Sequence, residues 1–297
     1  MCGIVGLYIK NPELEQELGR HVASMLLEMS ERGPDSAGTA IYRDEVDSSF
    51  IKLTLFSSHV DPDWVAFEKE LNAYDSASTV SPHLNHAVVQ TAKSLRQMHS
   101  WLQDYADIRI NSSGKKIEIY KEKGSPASFI DSFKVADYTG THALGHTRMA
   151  TESAVTTEHS HPFSTGDDLC LVHNGSLSNH NRLRENLQSR GISFQTDNDS
   201  EVAAGYLNWR LQEGDGLDDA LHHAVEDLDG FYTFAIGTRE GFAVLRDPIG
   251  CKPAIIAETD DWAAMSSEYR AIAQLPGVAG AKIWEPEPAK IYSWQKH

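Results

Sequence analysis

Cysteine is scarce: the 297 residues hold 3, Cys2, Cys170 and Cys251. Their wide spacing offers neither a disulfide framework nor a CxxC metal pair. Basic residues are in deficit, 26 against 43 acidic, and the net charge of −17 disfavours nucleic acid and anionic membrane as partners. No run approaches the roughly 18–20 apolar residues of a membrane span. The first residues lack a basic n-region and a cleavage site, and signal cleavage would discard Cys2. Internal repeats and low-complexity tracts are missing too. The expectation is a soluble, cytoplasmic protein, long enough for one large domain or two small ones.

What is present starts at Cys2, in the run Met1-Cys2-Gly3-Ile4-Val5-Gly6-Leu7. Removal of Met1 leaves a cysteine whose thiol and free α-amine share one residue, with reference pKa values of roughly 8.5 and 7.7–8. An N-terminal amine can serve as the base that activates such a nucleophile. The competing reading is an ordinary buried cysteine at the head of a strand. Cys170, inside Leu169-Cys170-Leu171-Val172, reads as a core thiol.

Residues 3–9 read as a strand, followed by a helix that opens at Asn11-Pro12-Glu13. Leu14, Leu18, Val22, Met25, Leu26 and Met29 keep helical spacing. Gly38 to Tyr42 and Phe50 to Phe56 look like a strand pair around a polar turn. From 57 to 140 the texture is polar, with helical pieces (61–75, 84–106) and a hairpin-like segment from Ile108 to Lys123. This stretch is expected to be a largely helical insertion. Strands return at 143–149, 169–173, 231–237, 241–246, 253–258, 263–266 and 289–294. Helices are expected at 179–190, 199–213 and 217–228, the first capped by Ser178-Asn179. Strands and helices grouped apart indicate an α+β fold.

Several short motifs carry chemistry. Arg32-Gly33-Pro34-Asp35-Ser36-Ala37-Gly38 is a turn-rich loop that could hold a local ion pair. His146-Thr147-Arg148-Met149-Ala150-Thr151 ends a strand with a guanidinium suited either to a substrate carboxylate or to a structural salt bridge. His159-Ser160-His161-Pro162 has two histidines but no third ligand, which is poor ground for a metal site. In His173-Asn174-Gly175, an amide side chain and a glycine N–H are oxyanion-hole donors, although Asn-Gly also marks a plain turn. Asp199 either caps the helix it opens or pairs with a ligand ammonium. Arg246-Asp247-Pro248-Ile249-Gly250 and Ser266-Ser267-Glu268 read as architectural.

In this order the motifs resemble the class II, N-terminal-nucleophile glutamine amidotransferases, over 1–56 and 141–297. The resemblance implies a four-layer αββα sandwich spanning 1–297, with 57–140 inserted. It implies that Cys2 attacks the glutamine amide, its amine moves the proton, and Asn174 and Gly175 stabilise the oxyanion. It further implies that Arg148 holds the α-carboxylate and Asp199 the α-ammonium. Thr151 and His161 would line the pocket, and Arg32 would support the first residue. Met149 stands where several members of the family have a gating tryptophan. The chain stops soon after the family's domain, so it is expected to serve a separate synthase. It looks similar to the amidotransferase subunit of glutamate-synthase-like systems, N-methylglutamate synthase among them. No cofactor is expected in this chain, whereas the partner subunits of such systems carry FMN and an iron–sulfur cluster. Two alternatives stay open: an amidohydrolase for another γ-glutamyl amide such as γ-glutamylmethylamide, and an idle scaffold.

Overall fold

The computed structural model describes residues 2–150 and 155–296. In chain order its first half contains β1 (Gly3–Ile9), α1 (Leu18–Glu28), β2 (Ser36–Tyr42), β3 (Ile51–Ser57) and α2 (Trp64–Tyr74). There follow β4 (Thr79–His83), β5 (His86–Thr91), α3 (Leu95–Trp101), β6 (Ile108–Gly114), β7 (Ile117–Lys123) and α4 (Pro126–Phe133). The second half begins with β8 (His142–Arg148), β9 (Phe163–Gly166), β10 (Leu169–Leu177), α5 (His180–Ser189), α6 (Asp199–Gln212) and α7 (Leu217–Asp227). It ends with β11 (Gly230–Gly237), β12 (Gly241–Arg246), β13 (Ile255–Glu258), β14 (Trp262–Ser266), α8 (Tyr269–Ile272), β15 (Lys282–Trp284) and β16 (Tyr292–Gln295).

Seven strands form one sheet in the order β15-β13-β14-β1-β8-β2-β7, and five form a second in the order β16-β12-β11-β10-β9. Strand alternation sorts their side chains into layers. Val5, Leu7 and Ile9 of β1 join a core with Leu18, Val22, Met25 and Leu26 of α1 and Phe129 and Phe133 of α4. Ile4 and Tyr8 point the other way, into a core shared with Cys170 and Val172 of β10 and Phe242 and Val244 of β12. Leu169 and Leu171 of β10 then face Val202, Ala203, Tyr206 and Leu207 of α6 and Leu221 of α7. Helices, sheet, sheet, helices: the α+β sandwich is as expected. Because β1 and the first four residues of β10 are covered on both faces, they read as continuous apolar runs.

The stretch 57–140 departs from the largely helical expectation. It contains four strands, β4 to β7, as well as α2, α3 and α4. β4, β5 and β6 combine with β3 into a third sheet, order β4-β5-β3-β6. Leu53, Leu55, Trp64, Phe67 and Leu71 form its own core. Pro82 lies in β4, at the sheet edge, where a missing N–H costs no ladder bond. β7, however, is the edge strand of the seven-stranded sheet, paired with β2 from Ser36–Lys123 to Tyr42–Ile117. Consequently β2 and β3 are both strands but do not pair with each other. At the base of the third sheet, Ser58 N–H donates to the Asp107 carbonyl across 2.9 Å.

Candidate active site

Strand order brings the N-terminal residues to the centre of a sheet. β1 lies between β14 and β8, with Gly3 opposite Thr147. Cys2 precedes β1 and is half-buried. Its carbonyl accepts from Arg32 Nε at 3.1 Å, and Arg32 Nη1 donates to Glu268 Oε1 at 2.6 Å. The ion pair inside the 32–38 loop is therefore not formed: Asp35 Oδ2 instead accepts from Ala150 N–H at 2.8 Å. Asp35 N–H donates to the Arg148 carbonyl at 3.0 Å, so the loop is bound to the end of β8. Gly33 is required there, since a Cβ would lie 2.3 Å from the Thr147 carbonyl carbon.

β10 supplies the opposite wall. Alternation places Asn174 with Cys170 and Val172 on the inter-sheet side, and turns His173 toward α6. The two sheets meet here, because His146 Nε2 of β8 donates to the His173 carbonyl at 3.0 Å. Asn174 is 3 % exposed, and its Nδ2 has no hydrogen-bond partner among the described residues. A buried amide left without an acceptor costs on the order of 1–3 kcal/mol, so this donor is suited to an incoming oxygen. Gly175 admits no side chain, because a Cβ would lie 1.9 Å from the Phe231 carbonyl oxygen.

Arg148 closes β8, is buried, and lies opposite Ser36. Asp199 is the first residue of α6, but the capping oxygen belongs to Asn198, which accepts from Ser200 N–H at 2.9 Å. That leaves Asp199 Oδ2 to accept from Leu177 N–H at 2.9 Å, tying the helix to the end of β10. His161 Nε2 lies 2.8 Å from Ser200 Oγ, and His173 Nδ1 lies 2.9 Å from the same oxygen. The rings of His146 and His161 stack at 4.0 Å. Burial drives all three imidazoles toward the neutral form, lowering His146 to about 3 and His161 well below its usual value. Desolvation also lowers His173, against the opposing pull of Asp199, so its 3.8 Å approach to Asp199 Oδ1 is not an ion pair.

Lys121 of β7 supports the loop that carries His161. Its ammonium is buried and donates to the carbonyls of Ser160 at 2.9 Å and Glu158 at 3.2 Å. Desolvation lowers its pKa to about 8.

The fold thus brings Cys2, Arg32, Arg148, His161, Asn174, Gly175 and Asp199 to one end of the two facing sheets. Thr151 lies outside the described residues. His159 and His161 diverge, the former to Asp197 at 3.0 Å, and no group of three or more potential metal ligands occurs among the described residues. Burial raises the Cys170 thiol to about 12, which makes it inert, and Cys251 is exposed. Asn179 does not cap α5 with its side chain, which donates to the Asp227 carbonyl instead. Arg246 and Asp247 are architectural: Asp247 Oδ2 accepts from Tyr232 N–H at 3.0 Å. Ser200 and Lys121 carry no spacing signal in the sequence because their partners are far along the chain, and Glu268, read there as architectural, holds Arg32. The polar residue after Asp199 was the available hint.

A family model described as a glutamine amidotransferase domain matches residues 146–274. The glutamine amidotransferase-like protein GlxB of Rhizobium meliloti is 50 % identical over 296 residues, 99 % of this chain and 98 % of that one. The isomerizing glutamine–fructose-6-phosphate aminotransferase of Xylella fastidiosa is 33 % identical over 174 residues, 58 % of this chain and 28 % of that enzyme. Among solved structures, the glutamine phosphoribosylpyrophosphate amidotransferase of B. subtilis superposes with a TM-score of 0.62 at 21 % identity. The superposition covers 99 % of this chain and 49 % of that one, and shows a shared fold.

Proposed function

This chain belongs to the class II glutamine amidotransferases, and from that premise we propose that Cys2 is its nucleophile and that it works as the ammonia-releasing subunit of a larger synthase. Domains of this class hydrolyse glutamine without a cofactor. In the proposed reaction Met1 is removed and the Cys2 thiol passes its proton to its own α-amine. Sγ then bonds to the amide carbon, and the resulting oxyanion is held by Asn174 Nδ2 and the Gly175 N–H. Collapse expels ammonia with the proton from the amine, leaving a thioester. Water adds to the thioester, glutamate leaves, and the thiol is restored. Arg148 holds the α-carboxylate and Asp199 the α-ammonium, with Thr151 and His161 lining the pocket.

The observation that carries this reading is the orphaned, buried Asn174 amide beside a glycine that tolerates no Cβ. Arg32, bound to the Cys2 carbonyl, supports it by fixing the first residue. We take 1–297 as one amidotransferase domain with 57–140 inserted. The partner reading, a glutamate-synthase-like hetero-oligomer of the N-methylglutamate synthase kind, draws support from exposed Met149, Phe231 and Ile249. Met149 follows Arg148, Phe231 adjoins Gly175, and the 247–250 turn is bonded to Tyr232.

The test has two arms. A glutamine-analogue electrophile should label the N-terminal peptide of the wild type and nothing in Cys2→Ala. Labelling that persists at Cys251 overturns the nucleophile assignment. Glutaminase turnover is then compared for the chain alone and with synthase subunits, where activation of 10²-fold needs about 2.7 kcal/mol of differential binding. Full activity alone, unchanged by the subunits, overturns the partner reading.

A further inference from the structure

The Ser200 hydroxyl touches three groups at once. Its Oγ lies 2.8 Å from His161 Nε2, 2.9 Å from His173 Nδ1 and 3.3 Å from Asp199 Oδ1. It is 1 % exposed, so water does not compete for these contacts. The hydroxyl has one proton and two lone pairs, while each neutral imidazole has one N–H. The outer nitrogens, His161 Nδ1 and His173 Nε2, are buried and without partners among the described residues.

Only one assignment satisfies every contact. A carboxylate cannot donate, and it is the strongest acceptor of the three. If Oγ–H donates to Asp199, its lone pairs are free to accept Nε2–H from His161 and Nδ1–H from His173. If the proton turns to either imidazole instead, an Oγ lone pair faces the Asp199 oxygen and one contact becomes repulsive.

We propose that Ser200 is a positioning residue that couples Asp199 to the two histidines, locking His161 as the Nε2–H tautomer and His173 as the Nδ1–H tautomer. The outer nitrogen of each ring is then a bare lone pair. Any substrate group that reaches one must bring a proton, so an ammonium or amide N–H fits and a carboxylate oxygen is rejected. The device favours an amide substrate over its carboxylate product. This functional half rests on the proposed readings of His161 as a pocket-lining residue and of Asp199 as the ammonium site.

The tautomers are measurable in the unmodified free protein by ¹⁵N NMR of labelled histidine, assigned with His161→Gln and His173→Gln. The expected result is protonated Nε2 on His161 and protonated Nδ1 on His173. Either ring in the opposite tautomer overturns the proposal, whatever the enzyme's activity proves to be. Ser200→Ala should lower kcat/KM for glutamine about 10-fold and weaken inhibition by glutamate less, while Ser200→Thr restores both values. Unchanged kinetics in a folded Ser200→Ala protein would overturn the positioning role. Loss of the Cys2 reading would leave the tautomer result standing, which separates the two failures.

Discussion

Arg32 binds the backbone of Cys2, 30 residues away, and not the carboxylate of Asp35 in its own loop. One guanidinium thus joins the first residue to Glu268, beyond the end of β14. Arg32→Ala should lower kcat about 10²-fold with KM for glutamine little changed, the scale of a nucleophile misplaced by about 1 Å. Steady-state kinetics decide the matter. A rise in KM alone would mean that Arg32 contacts the substrate.

Asp199→Asn keeps an acceptor for Leu177 N–H while removing the charge. KM should therefore rise by roughly 10- to 100-fold, the equivalent of a charge-assisted contact of about 1.5–3 kcal/mol, with thermal stability preserved. Arg148→Ala should raise KM similarly. If neither variant changes KM, the zwitterion is held elsewhere.

Lys121 connects the insertion to the pocket. Its folded pKa of about 8 lies below the usual 10.5, so below pH 8 it is charged in both states and its desolvation cost is fully present. Between about 8 and 10.5 the unfolded chain binds more protons, and stability attributable to this group rises with pH. Denaturant unfolding of wild type against Lys121→Met should show the wild type gaining across that window. The variant should also raise KM, because the 158–162 backbone loses its donor.

Acid should unfold the protein early. Burial lowers His86, His142 and His146 to about 3, and lowers His161 and His173 as well. These rings stay neutral in the fold but protonate near 6.5 when unfolded. Their stabilisation is complete above about pH 6.5 and declines as pH falls toward the folded values, by up to about 1.4 kcal/mol per pH unit for each ring. Unfolding midpoints at pH 7.5, 6 and 5 should fall steeply. A flat profile would show that the rings are hydrated.

Much of the sandwich was legible in the chain. Strands such as β1 and β11 are apolar and short, and α1 keeps its spacing, so local pattern and tertiary burial agree there. β4 was hidden because polar residues and Pro82 disguise it and most of its side chains face outward, whereas β5 is short and its burial comes from packing that no local pattern shows. The pairing of β2 with β3 failed for another reason: nearness in sequence favours a hairpin, but β2 instead takes β7 and β8. At the site, Asn174, Gly175 and Asp199 stood out because their chemistry is tied to residue type. Ser200 did not, since its bonds span 27 and 39 residues and no spacing rule encodes them. Asn198 outcompeted Asp199 as cap because its side chain, one position earlier, reaches the Ser200 N–H.

The narrow neck at Ser58 and Asp107 tells a protein engineer where to cut. Their backbones already touch, so residues 59–106 can be excised and the ends rejoined by a short glycine-serine bridge. The excision removes α2, β4, β5 and α3 yet spares β7, Lys121 and the edge of the larger sheet. Leu53 and Leu55 would then face water, and exchanging them for threonine would keep the remaining β3–β6 ribbon from sticking to its copies. A block deletion of 61–135 would instead tear out a strand of the main sheet. The two chain crossings at the neck are adjacent, but β5 also packs on the main domain, with Val88 in its core and His86 against Tyr120 and Phe133. Just before β5, Asn85 Nδ2 donates to Glu122, so a replacement domain has to cover that face again.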